Sequence, residues 1–150
     1  MFYGMMILIN NIFLAICSYT DIKSRKISMK VCIIFAMAYM TIQLLSNNGL
    51  LWITGVVPGV LLLFVALVSG QKIGYGDGVM VLVSGIGSGI TLCIDICSVA
   101  MLLSGVTALV LFLSKKKSKD DSIPFAPFLF AGNVVITILC IWEKGGMMLL

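Results

Sequence analysis

The chain has 150 residues, 61% of them hydrophobic and 11% charged, with a mean hydropathy of +1.17. A soluble domain carries roughly twice that charged fraction, so the composition excludes an ordinary water-soluble fold and predicts an all-α membrane protein, one domain over residues 1–150. The net charge of +4 is not a nucleic-acid signal, because nine of the ten basic residues fall in three stretches that punctuate apolar runs.

In chain order, the first uncharged run is Phe2–Thr20. Its opening, Met1-Phe2-Tyr3-Gly4, has no Lys or Arg, and the positive cluster follows the run; it reads as a retained span and not as a cleaved signal. The segment Tyr19-Thr20-Asp21-Ile22-Lys23-Ser24-Arg25-Lys26-Ile27 comes next. The run Val31–Gln71 is too long for one span, and Ser46-Asn47-Asn48-Gly49 splits it with turn-forming residues. The third span holds Gly55, Pro58 and Gly59. A proline there is expected to remove a backbone bond and bend the outer half of the helix.

Lys72 and the string Gly74-Tyr75-Gly76-Asp77 precede a fourth run, Gly78–Ile94, which is short for a span and ends at Asp95. Inside it, Ser84 and Ser88, and Gly85 and Gly89, form small-residue pairs expected to let helices approach closely. Ile96–Ser114 is the fifth run. Lys115–Asp121 is a solvated charge run that sets topology beside anionic headgroups. Ser122–Trp142 is the last, followed by Glu143 and Lys144. The result is about six spans, each near the roughly 20 residues that cross a bilayer. With six spans the three basic stretches share one side, which the positive-inside rule makes cytoplasmic; both termini then face outward.

Five scattered cysteines, no CxxC pair and no histidine make a metal site unexpected. Cys93 and Cys97 read as small buried residues and not as a disulfide. No cofactor is expected.

Only six residues are acidic. Asp95 and Glu143 fall on the outer side, and Asp120 and Asp121 belong to the charge run. Asp21 and Asp77 remain, both at span ends on the cytoplasmic side. Two close carboxylates can share one proton, so that one donates to a scissile carbonyl while the other activates water. Gly74, Gly76 and Gly78 are expected to allow backbone conformations closed to other residues and close approach of a substrate strand. The helix dipole adds a finer expectation. Asp21 sits at a helix C-terminus and Asp77 at an N-terminus, a difference of about 0.3–1 kcal/mol that makes Asp21 the holder of the shared proton.

With the Asp21 segment, the Gly74–Asp77 string and Ile123-Pro124-Phe125-Ala126-Pro127-Phe128, the chain resembles the type IV prepilin peptidases and archaeal preflagellin peptidases, which are GxGD intramembrane aspartyl proteases. The resemblance spans nearly the whole chain, and the small format is similar to the peptidases of tight-adherence (Flp-type) pilus systems. It implies an inner-membrane endopeptidase that cuts the basic leader of pilin-like precursors at the cytoplasmic face, among membrane lipids and with no nucleic-acid partner. It implies Asp21 and Asp77 as catalytic residues, with Gly74, Gly76, Gly78, Pro124, Phe125 and Pro127 shaping the site.

Two positions depart from the family pattern. Ser28 and Met29 replace a frequent Pro-Asn, and Val79 replaces a frequent lysine, for which Lys72 is a candidate substitute. Only residues 21–30 join the first two spans, so the CxxC-bearing loop of bifunctional members is absent and N-methylation is not expected. The alternative is a non-enzymatic transport or pilus-assembly subunit that uses Asp21 and Asp77 for ions or partners. Transport predicts polar residues deep in the spans, and Gln43, Thr54, Thr107 and Thr137 form no evident cluster in the sequence.

Overall fold

A computed structural model describes residues 2–25, 27–45, 53–69, 74–114 and 124–147. Six helices follow one another: α1 Phe2–Ser24, α2 Met29–Leu45, α3 Val56–Val68, α4 Tyr75–Ser88, α5 Ile90–Leu113 and α6 Ala126–Met147. No strand occurs among the described residues. Gly4–Ser24 and Ile90–Leu113 are long and apolar enough to cross a membrane; Met29–Leu45, Ile53–Val68 and Ala126–Trp142 are shorter apolar helices. The turn at Ser46–Gly49, Lys26, Lys72 and the run Lys115–Asp121 lie outside the described residues.

Two expectations are corrected. The run 78–94 is not one span ending at Asp95. It is divided at Gly89, whose φ of +80 suits glycine and breaks the helix. Asp95 is exposed inside α5. Pro58 does not bend the middle of a helix either. It is the third residue of α3, directly after a 3-10 turn over 53–55, where few helical donors are lost.

Helix α4 has 14 residues, roughly 21 Å of rise, and it is the centre of the bundle. Its buried face includes Met80, Val81, Val83 and Ile86, and it packs against α1, α2, α3 and α5. Glycines set how close its neighbours come. A Cβ on Gly55 would strike the Gly85 carbonyl, and one on Gly85 would strike that of Gly55. Gly59 lies on Leu82, and Gly78 lies on Leu63, 2.7 Å from where its Cβ would stand. That order makes α3 and α4 an antiparallel pair with a seam of small residues. On another face, a Cβ on Gly87 would come 2.7 Å from the Tyr39 ring of α2.

The bundle is apolar outside and partly polar inside. Leu8, Ile12, Ile33, Leu44, Phe64, Leu102, Leu109 and Ile141 are all exposed, whereas Asn10, Ser18, Asp21, Ser84 and Asn133 are buried. Water would drive the opposite arrangement. Phe13, Phe35 and Tyr39 form an aromatic cluster between α1 and α2, with ring centroids 5.2–6.4 Å apart.

Candidate active site

Asp21 occupies the last turn of α1. Of the trio Tyr19-Thr20-Asp21, only the aspartate points inward; Asp21 is 7% exposed, while Tyr19 is exposed with the Lys23 Nζ 5.8 Å from its ring centroid. Thr20 and Ser24 turn their hydroxyls back to helix carbonyls, Thr20 to Ile16 and Cys17 and Ser24 to Thr20. One residue after the helix, Arg25 takes a left-handed φ of 51°, and its N–H donates to the Asp21 carbonyl at 2.8 Å. This left-handed cap, unusual for a residue with a Cβ, ends α1 three residues after the acid.

Asp77 stands in the first turn of α4, one residue ahead of the apolar run that opens at Gly78. Its N–H donates to the Gly74 carbonyl at 3.1 Å. Gly74 has extended φ and ψ of −66° and 132°, and a Cβ there would stand 3.3 Å from Asp77 Oδ2. The Asp77 carboxyl is half-buried and pushed up to about 6, by burial first and by the nearby Asp21 charge second. The two acids are therefore electrostatic neighbours.

The glycines act differently from expectation. None of Gly74, Gly76 and Gly78 has a positive φ, so none is needed for a forbidden conformation. They give room for approach, but for this chain's own side chains. A Cβ on Gly76 would come 2.9 Å from Ile27, and Gly78 faces Leu63. Ile27 closes the Asp21 segment, so Gly76 lets the two acid-bearing segments pack together. Val79 is half-buried against the apolar core, the environment of a hydrophobe and not of a lysine.

Pro124, Phe125 and Pro127 stand at the start of α6. The Phe125 carbonyl accepts from the N–H groups of Phe128 and Leu129. Ala126, the second of the two residues between these prolines, is not a candidate from the sequence, yet its N–H donates to Asp21 Oδ2 at 3.2 Å. Three segments thus converge: the end of α1, the start of α4 and the start of α6. Lys72 falls outside the described residues.

A neutral polar cluster lies deeper, and nothing along the chain shows that its members meet. The Tyr39 hydroxyl donates to Asn10 Oδ1 at 3.1 Å, and Asn10 Nδ2 donates to Asn133 Oδ1 at 3.0 Å. Asn11 Nδ2 donates to Thr137 Oγ1 at 3.4 Å. A small cavity of about 20 Å³ borders Asn10, Ser88, Asn133 and Thr137. The only available signal was the rarity of Asn in apolar runs.

The model of the type IV leader peptidase family matches residues 8–141. No curated protein and no solved structure matches the chain. The match covers most of the chain and all three converging segments, and the chain belongs to the type IV leader peptidase family.

Proposed function

We propose that this type IV leader peptidase is an aspartyl endopeptidase with Asp21 and Asp77 as its catalytic dyad, cutting the basic leader of pilin-like precursors at the cytoplasmic face of the inner membrane. Family membership implies a protease that processes prepilins. The observation that carries the aspartyl mechanism is the convergence of a buried Asp21 and a half-buried Asp77 within electrostatic reach of each other.

In the reaction, water attacks the scissile carbonyl as the ionised carboxylate takes its proton, and the protonated carboxyl donates to the carbonyl oxygen. Burial and the nearby Asp21 charge hold Asp77 toward its neutral form, which favours Asp77 as the protonated acid. This reverses the role expected for it from the helix dipole, whose contribution of about 0.3–1 kcal/mol is smaller than that of burial.

The apolar exterior supports insertion as a multi-pass protein, one domain over 1–150. The link between α1 and α2 is short, which supports a peptidase without N-methylation. Gly74, Gly76, Gly78, Pro124, Phe125 and Pro127 shape the site in this proposal, with Lys72 as a candidate cation beside it.

The test is cleavage of a co-expressed pilin-like precursor by wild type and by Asp21→Asn and Asp77→Asn. Leader removal by wild type alone is the expected result; cleavage by either variant near the wild-type rate removes that residue from the dyad. The orientation is tested with single cysteines. Ser24→Cys and Ser118→Cys are expected to resist an impermeant thiol reagent outside intact cells, and Asn48→Cys is expected to react.

A further inference from the structure

The start of α6 has an unusual donor inventory. A helix leaves its first N–H groups without partners in its own ladder. In α6, Pro127 has no N–H, and Phe128 and Leu129 both donate to the Phe125 carbonyl, at 3.0 and 3.1 Å. One donor is left, the N–H of Ala126, and it reaches Asp21 Oδ2 across a sequence separation of 105 residues. Ala126 is fully buried, and Asp21 is 7% exposed. Among the described residues, no other group hydrogen-bonds the Asp21 carboxylate. The order Pro-Phe-Ala-Pro therefore carries two N–H groups, those of Phe125 and Ala126, and the second, the only one inside the helix, is aimed at Asp21.

We propose that the Ala126 backbone N–H is the positioning group of the dyad: it fixes the Asp21 carboxylate through Oδ2 and leaves Oδ1 for the attacking water and for the proton shared with Asp77. This rests on the aspartyl-protease reading above. Ala126 itself touches no substrate atom; it acts through Asp21. A buried carboxylate at the end of a helix, followed by a left-handed Arg25, would otherwise have rotameric freedom, and a misplacement of about 1 Å can cost on the order of 10²-fold in rate. The assignment also explains why a Pro-rich stretch far from both acids in the sequence belongs to the site. Its contribution is a backbone atom, so any small residue at 126 supplies it.

Ala126→Pro tests this. Ala126 is the first residue of α6, where proline suits the helix and deletes the N–H, although its ring carbon then occupies the buried place of the hydrogen that faces Asp21; an ester in place of the amide deletes the N–H without that ring. The expected result is a fall in kcat on the order of 10²-fold with KM within about twofold of wild type, since positioning acts on the reaction and not on binding. Ala126→Gly keeps the N–H and is expected to keep kcat within about threefold of wild type. Wild-type kcat in Ala126→Pro, or an equal loss in Ala126→Gly, overturns the proposal.

Should the proline variant fail to fold, an ester in place of the 125–126 amide deletes the same N–H with the alanine side chain intact, and the same outcomes decide. A second measurement is independent of proteolysis. The melting temperature lost on deleting the N–H should be smaller in an Asp21→Ala background than in wild type. Equal losses in both backgrounds overturn the positioning contact. If this coupling is present and no variant cleaves a precursor, the protease reading fails and the Asp21–Ala126 contact stands.

Discussion

Helices α1 and α6 meet at two polar places that differ in kind. At the end of α1, an ionisable Asp21 takes one backbone N–H from α6. Deeper, the neutral amide of Asn10 donates to Asn133 and accepts from Tyr39. In the deep cluster Asn10 donates to one partner and accepts from another, while the buried Nδ2 of Asn133 has no partner among the described residues. The Asp21 end holds a carboxylate with acceptor capacity to spare beside a second acid. Neutral hydrogen bonds between helices suit a place that must hold helices together. Charge with spare valence suits a place that must do chemistry. A transport reading would call on the deep cluster, but its hydrogen-bonded members are neutral, and the cavity beside them is only about 20 Å³.

The contrast is broken most sharply by exchanging losses between the two places. Asp77→Asn should lower precursor cleavage by at least ~10²-fold, the lower range for one general acid or base, with the circular dichroism of the purified protein unchanged. A deep-cluster variant that lowered the cleavage rate of the folded enzyme as far would erase the distinction.

Next in size is a pair of glycine substitutions. Gly76→Val drives a branched side chain into Ile27, which joins the Asp21 segment to the Asp77 segment. It should reduce kcat by roughly 10-fold through misplacement of the acids. Gly87→Ala drives its methyl into the Tyr39 ring, so it changes more than the width of a helix seam. It should destabilise by about 1–3 kcal/mol, as overpacking does, while the folded fraction cleaves normally. Chemical unfolding in detergent, set beside cleavage per folded molecule, separates the two. Equal kcat losses would mean that Gly76 has no special link to the site.

The smallest effect is expected from Asn133→Leu. It removes the partner of Asn10 and should cost about 0.6–2 kcal/mol, the range for hydrogen bonds between membrane helices, read as a lower melting temperature with kcat retained. A kcat loss beyond about threefold would connect the deep cluster to the reaction and blur the comparison.

Much of this protein was legible along the chain. The low charge and the apolar runs predicted an all-helical fold of about six spans; the described residues form six helices, two of them long and apolar enough to cross a membrane. The three motif segments carried the family, because each is a local string whose residues stand within a few positions of one another. The break at Gly89 was hidden, since an uncharged run does not say where a helix must turn when its neighbours crowd it. The place of Pro58 was hidden too, because the apolar run does not show where α3 begins, and that decides whether a proline bends a helix or starts one.

What the sequence determined was the set of apolar stretches and the three motif segments inside the family match. Tertiary structure alone decided which atoms meet: Ala126 N–H with Asp21, Ile27 with Gly76, Asn10 with Asn133, Gly55 with Gly85. The physical reason is range. Helix formation and burial preference are read from neighbouring residues. A hydrogen bond across 105 positions or a backbone contact between two glycines exists only once whole helices have packed at close-packed density, with a tolerance of tenths of an ångström.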